Sequence, residues 1–352
     1  MRTFTYDALP GRVVFGVGSL DGLADEVGRL GATKTLVLCT PRQTDMAADV
    51  ARRLGARSVG IFDGAAMHVP VESARRARDE AARRGADCCV AVGGGSTIGL
   101  GKAIALESGL PIVAVPTTYA GSEMTPVWGL TEGGEKRTGR DPRVLPRTVV
   151  YDPVLTVSLP AAVSGPSGIN AIAHCVEALY AENANPVVSL MAEEGIRALG
   201  RSLPAVTERP DDLEARGDAL YGAWLAGASL GAVGMAIHHK LCHTLGGSFN
   251  LRHADTHTIV IPHAAAFNRD AVPEALARVA GALGVADAAA GLFDLAAAIG
   301  APTALKDIGM KEADLDRAAD LATRNPYYNP RPVTRDAVRA LLDDAFHGRR
   351  PG

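Results

Sequence analysis

The sequence predicts an α/β domain with a parallel sheet, followed by an all-helical domain. Three observations lead there. Short β-branched runs alternate with amphipathic Ala/Arg-rich stretches through the first half, the arrangement of a parallel sheet covered on both faces. Strand signals nearly vanish beyond Leu159. At 352 residues the chain is long enough for two substantial cores.

Taken in order, Arg12–Gly18 (RVVFGVG) reads as a strand at the sheet edge. Lys34–Thr40, Arg57–Asp63, Asp87–Val92 and Pro111–Val115 read as further strands, with helical periodicity over Asp45–Leu54 and Val71–Arg84. In the second half the helical stretches are Ile169–Ala181, Pro186–Ala198, Leu213–Ala228, Val272–Leu283, Asp287–Ile299 and Glu312–Ala322. Asn185-Pro186 and Ala301-Pro302 punctuate them. The expected domains are 1–157 and 158–352, and the C-terminal HGRRPG is expected to fray.

A hydrophobic content of 47% and a formal charge of −3 describe an ordinary soluble protein, which argues against disorder and against nucleic-acid binding. No apolar run is read as reaching the roughly 18–20 residues of a membrane span. The N-terminus lacks the pattern of a secretory leader, so a cytoplasmic location is expected. The five cysteines sit mostly in apolar strand-like or helix-like contexts and are read as reduced core thiols.

The strand ending at Val92 runs into Gly93, Gly94, Gly95, Ser96 and Thr97, and a helix carrying Lys102 follows. Glycines at a strand-to-helix turn let backbone N–H groups approach an anion, and a diphosphate is the natural ligand. The turn is not the usual G-x-G-x-x-G fingerprint, and a ligand-free tight turn is the competing reading. Thr117 and Thr118 end the next strand, and Thr40 ends the first of the series. Ligands of open parallel sheets bind beyond the carboxyl ends of the strands, so three such ends favour a dinucleotide.

Seven of the nine histidines fall between His174 and His263. Asn170 and His174 are four residues apart, as are His239 and His243, and His253 follows across a Gly-Gly turn. An i, i+4 pair shares one helix face, so these imidazoles can converge on one point, for a metal or for proton transfer. Residue 170 is Asn where a metal site would favour a carboxylate. His238 points away from His239 on a helix and is read as structural. His257 and His263 are as readily core or capping residues as catalytic ones.

GGGST (93–97), PTTYAGSE (116–123), the Asn170/His174 pair and HHKLCHTLGGSFNLRH (238–253) together resemble the iron-containing alcohol dehydrogenase superfamily. The resemblance implies the dehydroquinate synthase-like fold, with an NAD(P)-binding α/β domain, a helical domain, a cleft between them and a homodimer. It also implies that metal-dependent members bind their ion at positions matching 170, 174, 239 and 253. GGGSTIGLGKA (93–103), TGRDPRVLP (138–146), GINAIAHCVEALYA (168–181) and YNPRP (328–332) look like a branch that reduces the double bond of maleylacetate to 3-oxoadipate with NADH or NADPH. Gly99 stands where many metal-dependent relatives carry Asp, and Lys136 matches a family lysine near the cofactor.

The resemblance implies catalytic roles for His243, His253, His239, His174 and Asn170. Tyr119, Arg140, Lys240 and Arg252 are candidates for holding a small dicarboxylate, Arg being suited to bidentate contact. Asn170 is a weak ligand for Fe²⁺ or Zn²⁺, so turnover without metal is expected; an ion, if present, would lie on His174, His239 and His253. The competing readings are a metal-dependent alcohol or polyol dehydrogenase, a reductase of a related oxo-dicarboxylate, a lyase resembling 3-dehydroquinate synthase, and a nucleotide binder without catalysis.

Overall fold

The computed structural model describes residues 4–9, 11–133 and 135–352. The chain forms two compact units, Leu9–Ser158 and Leu159–Gly352, and residues 4–8 group with the second. The expected boundary lies one residue earlier, and the expected first domain included those N-terminal residues.

In the first unit the strands are β1 (Arg12–Phe15), β2 (Thr35–Leu38), β3 (Ser58–Phe62), β4 (Cys88–Gly93), β5 (Ile112–Pro116), β6 (Val127–Glu132), β7 (Glu135–Arg140) and β8 (Thr148–Tyr151). The helices are α1 (Leu23–Arg29), α2 (Thr44–Leu54), α3 (Val71–Arg84) and α4 (Gly95–Ser108). Six strands pair in parallel in the order β1-β8-β5-β4-β2-β3, with β1 at one edge as expected. Alternation divides the sheet between two cores. Val37, Cys88, Val90 and Val92 face one, whereas Leu36, Leu38 and Cys89 face the other. The strand order reverses between β2 and β4, and ligands of doubly wound sheets bind at such a switch point.

Helix α1 and two further features are absent from the sequence expectations. β8 is a buried four-residue run, too short to show alternation. β6 and β7 form an antiparallel hairpin in which Glu132 faces Glu135; Gly133 supplies the positive φ (57°) of its turn.

The second unit is helical: α5 (Ala161–Leu179), α6 (Pro186–Glu208), α7 (Leu213–Ala232), α8 (Ile237–Phe249), α9 (His253–Asn268), α10 (Pro273–Leu283), α11 (Ala288–Ala298), α12 (Leu315–Thr323) and α13 (Arg335–His347). Helix α5 starts eight residues before the expected Ile169, directly after Pro160, and every residue from Ser164 to Leu179 is buried. A helix apolar on all sides belongs at a core centre, where no amphipathic stripe marks its start. Helix α13 was not expected from the sequence, although Thr334 caps it. Against expectation, Pro273–Ala298 contains an 18-residue window long and apolar enough to cross a membrane. It is divided into α10 and α11, and half of that window is buried within the unit.

The C-terminus is tied down rather than frayed. Arg350 pairs through two nitrogens with Asp294 at 2.7 Å, Arg349 pairs with Asp343 and Asp344, and Pro351 is buried. The five cysteines are buried and unpaired, as expected of core thiols.

Candidate active site

The cofactor candidates gather at the switch point of the sheet. Gly93 ends β4 with φ 152°, and a Cβ there would lie 2.5 Å from Thr97 Oγ1 and 2.9 Å from Gln43 Oε1. A Cβ on Gly94 would stand 2.9 Å from Thr118 Cγ2, so both positions exclude a side chain. Gly95 opens α4 and is exposed; its nearest neighbour would be Ala120 Cβ at 3.9 Å. The Thr97 and Ile98 amides bond to Gly94 O, and the Thr97 hydroxyl is buried without a partner. A backbone cradle at a helix N-terminus, with Gly95 exposed, fits a dinucleotide diphosphate.

Gln43 joins two of the predicted strand ends. Its Nε2 donates to Thr117 Oγ1 at 3.0 Å, and Thr40 Oγ1 donates to its Oε1 at 3.0 Å. Nothing in the sequence marked Gln43. Lys102 anchors the loop after β5: it is buried, and Nζ donates to Ser122 O, Thr125 O, Thr125 Oγ1 and Val127 O at 2.6–2.9 Å. Burial pulls its pKa down to about 7, opposed by Glu123. Gly99 has a steric reason: a Cβ there would lie 2.7 Å from Val69 Cγ2, leaving no room for the Asp of metal-dependent relatives. Tyr119, proposed for substrate, is fully buried in this unit. Arg140 lies on the exposed β7 hairpin. The Lys136 side chain lies outside the described residues.

In the helical unit the predicted histidines do assemble. Ring centroids are 5.1 Å apart for His174 and His239, 6.0 Å for His239 and His243, and 6.3 Å for His243 and His253. Asn170 lies one turn before His174 on α5, buried, with an unpartnered Oδ1. The anchor of the group is Glu177, an i, i+3 neighbour of His174 that sequence reasoning missed although the spacing shares a helix face. Its buried carboxyl accepts from the Ala236 amide (2.8 Å), the His238 amide (2.7 Å) and His239 Nδ1 (2.7 Å). It thereby caps α8, whose own N-cap residue, Ala236, offers no side-chain acceptor.

Burial fixes the charge of this cluster. It holds His239 down at about 3 and lifts Glu177 to about 7. The 2.7 Å contact between them is therefore a hydrogen bond of a neutral imidazole, and the pair carries at most one negative charge. Burial also holds His174, His238 and His257 well below the ordinary imidazole value, reinforced by neighbouring histidines. His174 and His239 are thereby neutral hydrogen-bonding groups rather than cations.

The half-buried members are His243 and His253, and His243 Nδ1 meets the Tyr327 hydroxyl at 3.1 Å. The Lys240 ammonium sits 5.7 Å over the Tyr327 ring. Arg252, just before α9, is exposed and paired with Asp255 at 2.6 Å. The YNPRP segment holds Tyr327 in place: Asn329 and Asn268 exchange amide bonds of 2.8 and 3.0 Å, and Arg331 donates to Phe267 O.

Asn170 Oδ1, His174 Nδ1 and His239 Nε2 are buried without partners, and lone pairs at these atoms are what the group would offer an ion. Among the described residues, the three His, Cys or carboxylate side chains whose ligand atoms lie within 4.8 Å of one another are His238, Cys242 and His257, not His174, His239 and His253. Asn170 adds a neutral carbonyl in place of an anionic ligand.

The iron-containing alcohol dehydrogenase model matches residues 10–153, and the C-terminal model of the same family matches 165–346. A maleylacetate reductase of Burkholderia cepacia is 59% identical over 351 residues, covering 100% of both chains. Crystal structures of maleylacetate reductases from Agrobacterium tumefaciens and Rhizobium sp. superpose with TM-scores of 0.96, at 52% and 53% identity and 100% coverage of both chains. With both halves matched and full-length identity above one half, this chain belongs to the maleylacetate reductase branch of the iron-containing alcohol dehydrogenase family.

Proposed function

We propose that the protein reduces the carbon–carbon double bond of maleylacetate with NADH or NADPH, giving 3-oxoadipate. The observation that carries the reading is a cluster of neutral imidazoles, anchored on Glu177, in a family member whose residue 170 is Asn. When bound, the reduced nicotinamide supplies hydride to the alkene carbon β to the ketone. The double-bond electron pair then moves to the ketone oxygen as an enolate, and a proton is added at the carbon α to the ketone. Uncharged N–H donors suit delocalised enolate charge, and removing one such donor raises the barrier by roughly 2.7–4 kcal/mol; His239, whose single proton is engaged by Glu177, presents a lone pair rather than a donor. His243 and His253, the half-buried members, are the groups placed to deliver the proton, with Tyr327 orienting His243. Lys240 and Arg252 supply positive charge near the same helix ends for the substrate carboxylates.

The reaction runs without a metal ion in this reading, because Asn170 offers a neutral carbonyl where an anionic ligand would hold the ion more strongly. The working form is a homodimer in the cytoplasm. Buried, unpaired cysteines suit a reducing compartment. The β1 edge, with Phe15 and Val17 exposed beside it, is suited to pairing with a second copy. Deuterium carried by the nicotinamide tests the chemistry: the label is expected on the carbon β to a ketone that survives in the product. Label on a carbinol carbon would show carbonyl reduction instead.

A further inference from the structure

His257 has no role in the account so far, yet four imidazoles surround it. Its ring centroid lies 4.1 Å from His253, 4.7 Å from His238, 4.9 Å from His239 and 6.2 Å from His174. The side chain is fully buried. Its Nδ1 meets His238 Nε2 at 2.9 Å, while its own Nε2 is buried and has no partner. Asn170 Oδ1, His174 Nδ1 and His239 Nε2 are unpartnered in the same way. A buried polar atom without a partner costs about 1–3 kcal/mol, so such a group of atoms calls for something that binds there.

A neutral imidazole carries one ring proton, and two arrangements satisfy the His238–His257 bond. Either His238 donates from Nε2 and His257 keeps its proton on its own Nε2, or His257 donates from Nδ1 and leaves a lone pair at Nε2. Cys242, one turn along α8, discriminates between them. Its sulfur lies 3.7 Å from His238 Nε2 and 3.9 Å from Nδ1. A buried thiol keeps its proton and is a weak donor. It therefore suits a lone pair on His238 Nδ1 and offers poor acceptance to a buried N–H there. With Nε2 engaged by His257, Nδ1 is the His238 nitrogen left to the thiol; His238 then carries its proton on Nε2, and the free N–H of this relay falls on His257 Nε2, among the other unpartnered atoms.

We propose that His257, oriented by His238, presents its Nε2–H as an additional donor to the enolate oxygen formed during reduction. His238 is the positioning residue, and Cys242 sets its tautomer. This inference rests on the ene-reduction reading for its substrate but not for its proton.

Asn and Gln imitate opposite nitrogens of the ring, and this separates the two roles of His257. His257→Gln places an amide N–H near the Nε2 position; His257→Asn keeps a polar group only at the Nδ1 side, toward His238. With maleylacetate and NADH, kcat is expected to fall by at least about 100-fold in His257→Asn and by no more than about 10-fold in His257→Gln, at unchanged NADH affinity by fluorescence titration. The reverse order, Asn active and Gln inactive, would overturn the proposal, because then only the bond to His238 matters. Nitrogen-15 spectra of histidine-labelled wild-type protein decide it independently, including where both variants fail to fold. A proton on His257 Nε2, and a change of that signal on adding 3-oxoadipate, is expected; a proton on Nδ1 or an unmoved signal contradicts the inference. Wild-type protein that ignores maleylacetate would refute the substrate reading, while the resting position of the proton would still be read from the spectrum.

Discussion

The glycine turn of the first unit and the histidine cluster of the second are built on opposite principles. The turn works through what is missing: Gly93 and Gly94 have no room for a Cβ, and Gly95 leaves an open face to backbone amides. Nothing in it needs to titrate. The cluster works through groups that burial would ordinarily forbid, namely neutral imidazoles and one carboxyl held by three N–H donors, with several polar atoms left unpartnered. A cradle of that kind fails by steric filling, with loss of cofactor affinity. A cluster of that kind fails by losing one donor, with loss of turnover at unchanged cofactor affinity.

The largest effects are expected in the cluster. His243→Ala and His253→Ala should each lower kcat by at least about 10²-fold while leaving NADH affinity in place; steady-state kinetics beside fluorescence titration check both halves of that statement. Glu177→Gln should lower kcat by roughly 10²-fold as well, since the amide leaves one of three N–H donors facing another N–H. Normal kcat in that variant would remove Glu177 from the anchoring role. In the cradle, Gly95→Val should raise the NADH KM about tenfold or more, equivalent to about 1.4 kcal/mol, with kcat little changed. An unchanged KM would make the loop a plain turn.

A smaller, graded effect follows from the buried imidazoles. His239 and His263 are held at about 3 and about 4, against an ordinary value of 6.5. The unfolded chain therefore binds more protons than the folded one between about pH 6.5 and pH 4. Their stabilising contribution is fully present above pH 6.5 and is lost as pH falls through that window, with His174, His238 and His257 acting in the same sense. Glu177, raised to about 7, acts in the opposite sense, as do the buried carboxyls of Glu123 and Asp255, so three groups oppose five imidazoles. Thermal melting should thus drop steadily from pH 6.5 to pH 4, and a flat profile would show that the imidazoles are not held neutral. The smallest effect belongs to the tail: Arg350→Ala removes an exposed pair with Asp294, worth at most about 1 kcal/mol.

The two regions also differ in how far the sequence revealed them. The glycine turn, its flanking strand and Thr117 were legible because strand-to-helix turns leave a local signature. Gln43 was not, since a bridge between two strand ends depends on the order of strands in the sheet. In the cluster, the Asn170/His174 and His239/His243 pairs were legible from i, i+4 spacing, and His253 from its place just after a Gly-Gly turn. Glu177 at i+3 from His174 and His257 at i+4 from His253 share a helix face with those neighbours, but an acid in an apolar helix and a histidine beside a Thr gave no sign of joining the cluster. The charge state was illegible altogether, because neutrality comes from burial. Helix α5 was placed late for a related reason: a fully buried helix has no polar face to announce its first turns.

The central claim is that neutral imidazole donors, without a metal ion, support reduction of the enone. Its most direct test is NADH absorbance followed with chelator-treated protein, maleylacetate being compared with a panel of simple alcohols and keto acids. Undiminished consumption of one NADH per maleylacetate, with 3-oxoadipate formed and the panel inert, is predicted. Inactivity toward maleylacetate, or alcohol oxidation that returns only with added Fe²⁺ or Zn²⁺, would contradict it.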